Sequence, residues 1–118
     1  MIRIYHNPRC QKSREGLKIL EESGKSFQIV KYLNKELSKD EIKDILKMLD
    51  IPAEKLLRKK EKVWKENYKN KDLDENGIIE AMQENPKLIE RPIVENEGKA
   101  IIGRPPEKIK EIIWIYPR

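Results

Sequence analysis

The first third of the chain changes its hydrophobic period twice, and this pattern restricts the fold more than any other feature of the sequence. Residues 2–5 are mostly apolar, and the stretch stops at Asn7-Pro8, a turn signal. A helical pattern follows, with Leu17 and Leu20 three positions apart, and residues 26–33 are then rich in strand-forming side chains. A strand, a helix of this length and another strand predict a right-handed βαβ unit with parallel strands.

The middle of the sequence, at about residues 38–85, is predicted to be a helical block. Ser38 and Glu41 have the spacing of a capping box, and Pro52 suits the first turn of a further helix. Asp74 is a candidate N-cap for another helix, and Asn85-Pro86 ends it.

The last third predicts two strands and a helix. Residues 88–94 and 99–102 are apolar stretches around a hairpin turn at residues 95–98, and Pro105-Pro106 opens the last helix. We therefore predict one α/β domain over residues 1–118. Its fold is thioredoxin-like: a four-stranded mixed sheet flanked by helices on both faces, with the helical block inserted between strands 2 and 3.

The balance of charges does not establish nucleic-acid binding. The chain has 26 Lys and Arg against 21 Asp and Glu, which gives a net charge of +5. Because the two signs are interleaved, this balance attracts anions in general. The basic stretch at residues 55–71 is interrupted by Glu61 and Glu66, so we interpret it as a solvated helical face and disfavour nucleic-acid binding.

The composition also restricts where the protein is expected to be located and which redox chemistry its thiol can do. No apolar run approaches the roughly 20 residues of a membrane helix, and the N-terminus lacks the apolar core of a signal peptide, so we expect a cytoplasmic protein without membrane association. One cysteine and one histidine exclude an internal disulfide and a Cys/His metal cluster. If the thiol does redox chemistry, its partner thiol must come from another molecule.

Cys10 lies where the first loop meets the first predicted helix. It belongs to the segment HNPRCQKSR, in which Arg9, Lys12 and Arg14 lie within four residues of the thiol. Unpaired N–H groups and the positive end of the helix dipole stabilise a thiolate at such a position, and nearby cations add to the effect. The same donors suit a tetrahedral oxyanion. We therefore favour a reactive thiol over an inert core cysteine, the usual role of a lone cysteine.

Two known cysteine motifs each fail at one position. A phosphatase-type loop needs an arginine where this chain has Gly16, and a thioredoxin-type dithiol needs a cysteine where it has Ser13. Ser13 can instead hydrogen-bond the thiolate or an anion. His6 either orients the loop through a hydrogen bond or only ends the strand, and Asn7-Pro8 shapes the loop.

Given these residues, the chain resembles the glutaredoxin-coupled arsenate reductase family, a branch of the thioredoxin superfamily, over nearly its whole length. Four motifs in order carry the resemblance: Tyr5-His6-Asn7-Pro8-Arg9-Cys10 with Ser13-Arg14, then Leu56-Leu57-Arg58-Lys59, Arg91-Pro92-Ile93-Val94 and Gly103-Arg104-Pro105-Pro106-Glu107.

The resemblance implies roles for single residues. Cys10 matches the family's nucleophile, and His6 matches the histidine that favours its thiolate form. The family's three oxyanion-binding arginines match Arg58, Arg91 and Arg104. Each of them, taken alone, also fits an ordinary surface position, but a guanidinium group binds a tetrahedral oxyanion through two parallel hydrogen bonds, which a lysine cannot do.

Further residues match the support of the family's loop and thiolate: Asn7, Ser13, Arg14 and Pro92. The family pattern also implies a cis peptide between Arg91 and Pro92. Gln11-Lys12 stand where the family often has Gly-Thr, which we expect to narrow the pocket or to alter the choice of thiol donor.

The mechanism implied by the resemblance is nucleophilic. The Cys10 thiolate attacks arsenate, glutathione attacks the adduct as a co-substrate, and glutaredoxin completes the reduction to arsenite. No bound cofactor and no metal are implied.

Two other functions fit the same residues. Spx-type transcriptional regulators share the fold and bind the α subunit of RNA polymerase, but their Cys-x-x-Cys switch is removed here by Ser13. A glutathione-dependent thiol oxidoreductase that does not act on arsenate is the other alternative, because the same basic pocket would hold the carboxylates of glutathione.

Overall fold

A computed structural model describes residues 2–33 and 37–113 of the chain. The elements follow in the order β1 (Ile2–Tyr5), α1 (Gln11–Ser23), β2 (Phe27–Val30), α2 (Lys39–Leu49), α3 (Ala53–Leu56), α4 (Lys62–Asn67), α5 (Glu75–Glu84), a 3-10 turn (Pro86–Leu88), β3 (Ile93–Asn96), β4 (Lys99–Ile102), a second 3-10 turn (Pro106–Lys108) and α6 (Ile109–Ile113). Two compact units are present among the described residues. The first comprises residues 2–33 and 91–113, and the second comprises residues 37–90.

The first unit contains a four-stranded mixed sheet with the strand order β2-β1-β3-β4. β1 pairs in parallel with β2, whereas β3 is antiparallel to both of its neighbours. The predicted parallel βαβ unit and the mixed thioredoxin-like sheet are thus confirmed. The helical block between strands 2 and 3 is also present, as α2 to α5.

One face of this sheet packs on helices α1 and α6. Ile4 of β1 lies beside Val94 of β3 in the register, and both side chains are fully buried. Leu20 of α1 and Ile109 of α6 join the same cluster. Burial of such apolar side chains is the main stabilising contribution to a unit of this size.

The opposite face of β1 and β3 carries a polar group. Arg3 and Glu95 are register partners, with 3.7 Å between Arg3 Nη1 and Glu95 Oε1. The hydroxyl of Tyr5 donates to the same Oε1 atom at 2.8 Å. Burial, with a further contribution from the Glu95 carboxylate, raises the pKa of Tyr5, so this phenol is a neutral donor.

Helix caps in the second unit follow the sequence prediction. The Ser38 hydroxyl accepts a hydrogen bond from the Glu41 backbone N–H, and the Glu41 carboxylate accepts one from the Ser38 N–H, which is a complete capping box. Asp74 caps α5 by accepting from the Gly77 N–H at 2.8 Å. Asn85 follows the last residue of α5, as expected.

Two predicted strands have different bounds in the structure. The strand predicted at residues 26–33 covers only Phe27–Val30, because β1 offers a partner for four residues and then ends at the Asn7-Pro8 turn. The prediction of a strand over residues 88–94 was wrong at its beginning. Leu88 lies in a 3-10 turn, and Ile89 makes an isolated bridge with Leu57.

The hairpin between β3 and β4 turns more tightly than predicted. Asn96 and Lys99 are register partners, so only Glu97 and Gly98 lie between the strands. Both have positive φ, 53° and 78°. This is the geometry of a type I′ turn, whose twist matches that of paired strands and whose second position is commonly glycine.

In the described parts of the chain, residues 2–33 and 37–113, no helix is both long and apolar enough to traverse a lipid bilayer.

Candidate active site

Cys10 occupies the N-cap position of α1. Its backbone is extended, with φ −96° and ψ 123°, and its carbonyl accepts from the Arg14 N–H at 3.0 Å as the helix begins. The first amides of an α-helix have no acceptor within the helix, and the dipole adds partial positive charge at this end. Cys10 as a residue is partly exposed and is not paired in a disulfide. The structure thus places the sulfur at the junction of loop and helix.

A guanidinium group lies beside the sulfur. Arg104 Nη2 is 3.7 Å from Cys10 Sγ, and Arg104 Nε donates to the carbonyl oxygen of Arg91 at 2.8 Å. These two contacts fix one edge of the guanidinium plane. A fixed cation at this distance stabilises negative charge on the sulfur and on any group bound to it.

The segments at residues 91–92 and 103–104 are held together by the hairpin that joins β3 and β4. The Gly103 N–H donates to the carbonyl oxygen of Pro92 at 2.8 Å. The peptide between Arg91 and Pro92 is cis, as predicted, and the peptide between Arg104 and Pro105 is also cis, which was not predicted. Arg91, Pro92 and Arg104 are therefore brought together in the first unit.

The Ser13 hydroxyl joins His6 and Asn7 through hydrogen bonds. Ser13 is fully buried, and its Oγ accepts from the Asn7 backbone N–H at 3.0 Å. The same Oγ lies 2.7 Å from Nδ1 of His6. Burial lowers the pKa of His6, and the positive charge of Lys31 adds to the effect, so the imidazole is neutral at pH 7.

The hydrogen bond between His6 and Ser13 is compatible with either tautomer of a neutral imidazole. Ser13 Oγ has two acceptor sites and one proton, so it can accept from Nδ1–H or donate to Nδ1 while it also accepts from the Asn7 N–H. The sequence analysis predicted that the Ser13 hydroxyl can hydrogen-bond the thiolate or a bound anion. In the structure, the Ser13 hydroxyl instead links the start of α1 to the two residues that follow β1, through its hydrogen bonds with His6 and with the Asn7 N–H.

Two further contacts shape the loop before Cys10. The side-chain oxygen of Asn7 accepts from the Arg9 N–H at 3.0 Å, and Nη1 of Arg14 donates to the carbonyl oxygen of Pro8 at 2.9 Å. Asn7 and Arg14 therefore hold the loop through local hydrogen bonds, as expected of side chains that stabilise a turn.

Arg58 belongs to the second unit, where carboxylates surround its side chain. Nη1 donates to Oε2 of Glu61 at 2.8 Å, and Nε lies 3.5 Å from Oε1 of Glu90. The backbone N–H of Arg58 donates to the carbonyl oxygen of Leu88 at 2.7 Å. Its side chain is 19% exposed, so it is not the ordinary solvated surface residue considered above.

Two glycines, Gly16 and Gly103, allow close packing against Pro92 and Ile109. The sequence analysis assigned them no role. A Cβ at Gly16 would lie 2.8 Å from Cδ1 of Ile109 and 3.0 Å from Cγ of Pro92. A Cβ at Gly103 would lie 2.9 Å from Cδ1 of Ile109 and 3.1 Å from Cγ of Pro92. A glycine in the interior of a helix, as at position 16, is the sequence signal of such close packing.

Within residues 2–33 and 37–113, no group of three or more His, Cys, Asp and Glu side chains is arranged to hold a metal ion.

The sequence and the fold of the chain match known proteins. The model of the ArsC family matches residues 5–112. The uncharacterized protein YfgD of Escherichia coli is 48% identical over 114 residues, which cover 95% of this chain and 96% of that protein. An arsenate reductase of Haemophilus influenzae is 46% identical, with coverage of 93% of this chain and 97% of the relative.

A solved structure shows the same fold. The putative arsenate reductase from Yersinia pestis superposes with a TM-score of 0.89 at 47% identity, over 95% of this chain and all of that one. The family match spans the four motifs around Cys10, Arg58, Arg91 and Arg104, and the named relatives are matched over nearly their full length. The chain therefore belongs to the ArsC family, whose relatives at this level of identity include arsenate reductases.

Proposed function

We propose that this protein reduces arsenate to arsenite, with Cys10 as the nucleophile and with glutathione and glutaredoxin as the electron donors. The observation that carries the proposal is the position of the Cys10 sulfur, at the N-terminus of α1 and 3.7 Å from Arg104 Nη2. A cysteine at a helix N-terminus and beside a guanidinium group suits attack on a tetrahedral anion held at the same place.

The proposed reaction reduces arsenic(V) to arsenic(III) by two electrons. The Cys10 thiolate attacks arsenic(V), forms an S–As bond and releases water or hydroxide. Glutathione then adds to arsenic and displaces a second oxygen as water. The thiol of glutaredoxin attacks the glutathione sulfur, so that a mixed disulfide forms and arsenic accepts two electrons. Hydrolysis of the remaining S–As bond releases arsenite and regenerates the Cys10 thiol.

The arginines have distinct roles in this proposal. Arg104 stabilises charge on the sulfur and on the oxygens of the adduct, and Arg91 helps to position it through its carbonyl oxygen. Arg58 and the side chain of Arg91 are assigned to oxyanion binding because of their places in the family motifs. His6, Asn7, Ser13, Arg14 and Pro92 hold the loop.

Steady-state arsenate reduction, coupled to NADPH through glutathione, glutathione reductase and glutaredoxin, tests this function. We expect Cys10→Ser to abolish turnover, because no S–As bond can form. Arg104→Ala should lower kcat/KM by about 10²–10³-fold, as the loss of one preorganised donor does. Arg3→Ala, which removes an equal charge next to Glu95, is the matched control.

The same proteins should be assayed for reduction of a glutathione mixed disulfide. Turnover of that substrate without arsenate reduction would identify a general thiol oxidoreductase instead. Full arsenate turnover by the Cys10→Ser protein would refute the nucleophilic role.

A further inference from the structure

Both binding edges of the Arg58 guanidinium group face carboxylates of its own chain. A guanidinium group binds an oxyanion in a bidentate manner either through Nη1 and Nη2 or through Nε and Nη2. On the first edge, Nη1 already donates to Oε2 of Glu61 at 2.8 Å. On the second edge, Nε lies 3.5 Å from Oε1 of Glu90. An anion that takes either edge must therefore displace or share a carboxylate.

We propose that Glu61 competes with the oxyanion substrate for Arg58 and thereby sets the affinity of the protein for tetrahedral oxyanions. This inference rests on the proposed function, because it takes Arg58 to be an anion-binding residue. It adds a residue that determines affinity and that neither the family motifs nor the relatives assign.

Glu61 is the stronger of the two competitors. Its contact with Arg58 is a hydrogen bond of 2.8 Å, whereas the 3.5 Å between Glu90 and Nε is an ion pair at longer range. The Glu61 N–H also bonds the Arg58 carbonyl oxygen at 3.3 Å, so a short turn holds the two residues together. Glu61 precedes α4 without capping it through its side chain, which leaves the carboxylate available to Arg58.

The ion pair between Arg58 and Glu61 holds the guanidinium group, but an oxyanion can still displace the carboxylate. The side chains of Arg58 and Glu61 are 19% and 27% exposed, so water still reaches both of them. Partly exposed ion pairs of this kind contribute little net stability. A doubly charged oxyanion that makes two parallel hydrogen bonds can therefore replace the carboxylate. In the absence of substrate, Glu61 keeps the half-buried guanidinium paired, which avoids the cost of an isolated buried charge.

The chain offers a conservative variant and a matched control. Glu61→Gln keeps the shape of the side chain and an amide oxygen that can accept from Arg58 Nη1, but it removes the negative charge. Glu54→Gln makes the same charge change in α3 at a carboxylate that pairs with Lys59 at 2.8 Å instead of with Arg58. Isothermal titration calorimetry with arsenate and with sulfate measures the dissociation constants of the full-length proteins.

We expect the Glu61→Gln protein to bind both anions about twofold to fivefold more tightly than the wild type, the range that loss of a partly exposed ion pair allows. The Glu54→Gln protein should stay within about twofold of the wild type, since exposed charges at longer range are screened. In an Arg58→Ala background, Glu61→Gln should give no gain. Equal affinities of the Glu61→Gln and Glu54→Gln proteins, or a gain that persists without Arg58, would overturn the competition.

Arsenate reduction by the same proteins separates this inference from the proposed function. If the wild type reduces arsenate while Glu61→Gln binds anions like its control, the competition is wrong and the function stands. If no protein reduces arsenate but Glu61→Gln binds anions more tightly through Arg58, the function fails and the competition stands. If none of the proteins binds either anion, the competition is refuted directly.

Discussion

His6 is a buried titratable side chain whose protonation is coupled to folding. It is 5% exposed, and its Nδ1 lies 2.7 Å from the hydroxyl oxygen of Ser13. Burial first, and then the charge of Lys31, lowers the pKa of His6 below the ordinary histidine value. The folded chain therefore favours the neutral imidazole.

The sign of the resulting pH dependence follows from this lowered pKa. Below the unfolded value of about 6.5, the unfolded state takes up the His6 proton before the folded state does. The free energy of unfolding should therefore fall as pH decreases through that value, until the folded pKa is reached. We expect His6→Asn, which keeps an amide group near the position of Nδ1, to lack this contribution.

Urea unfolding at about pH 7.5 and about pH 5.5, on either side of the ordinary histidine pKa, measures the effect. The wild type should lose more stability than His6→Asn over this interval, by up to about 1.4 kcal/mol per pH unit. Carboxylates titrate in both proteins and cancel in the comparison. Parallel losses in the two proteins would show that His6 has the same pKa in the folded and unfolded states.

At the scale of single residues, the sequence predicted the features that depend on residues close together in the chain. The helix start at Cys10 follows from the turn and the helical pattern around it, and the cis peptide at Arg91-Pro92 was expected from the resemblance to the family. The contact between Arg104 Nε and the Arg91 carbonyl oxygen depends instead on the register of a hairpin. The pairing of Arg58 with Glu90 likewise joins residues far apart in sequence, and no pattern of residue types indicates it.

At the scale of elements, an apolar stretch can be buried without forming a strand. Leu88 and Ile89 are almost completely buried, which is why the apolar stretch suggested a strand over residues 88–94. Leu88 is instead part of a 3-10 turn that packs against α5, and β3 begins only at Ile93. A short apolar run predicts burial but does not distinguish a strand from a buried turn. The strand at Lys99–Ile102 was predicted correctly, because a tight turn precedes it.

Helix α1 approaches the loop at Pro92 because Gly16 has no side chain. We expect Gly16→Ala to destabilise the protein by about 1–3 kcal/mol, as overpacking of a core does, although alanine is the better helix former. The reason is that the new Cβ would lie 2.8 Å from Cδ1 of Ile109, which is fully buried and has little space to move. Thermal or urea unfolding measures the change.

A second substitution tests this cause. Ile109→Val removes the Cδ1 atom and should cost about 0.5–1.5 kcal/mol when made alone. In the double variant, Gly16→Ala should cost clearly less than it does in the wild type, because its nearest clash is gone. Additive losses would mean that Gly16→Ala acts through something other than Ile109. Gly24→Ala, at a helix end with positive φ and open space around the position, is a control for strain without a clash.

At the scale of the whole molecule, the site is assembled only when the chain folds. Cys10, Arg91 and Arg104 come from three segments of the sequence, and the sheet and its hairpin bring them together in the first unit. An oxyanion bound there therefore interacts with the folded state and hardly with the unfolded one. A ligand of this kind stabilises a protein by mass action, so the melting temperature should report binding independently of turnover.

We expect arsenate to raise the melting temperature of the Cys10→Ser protein, in which no covalent step can follow. At about a hundred times the dissociation constant, the stabilisation should reach about 2.7 kcal/mol. The net charge of +5 attracts any anion, so chloride at matched ionic strength must be compared. Adding Arg104→Ala should remove most of the arsenate effect, whereas adding Arg3→Ala, on the polar face of the sheet, should leave it intact. Equal shifts in these two double variants would mean that arsenate stabilises the fold through general charge neutralisation, because Arg104 would then contribute no more than a cation elsewhere on the molecule.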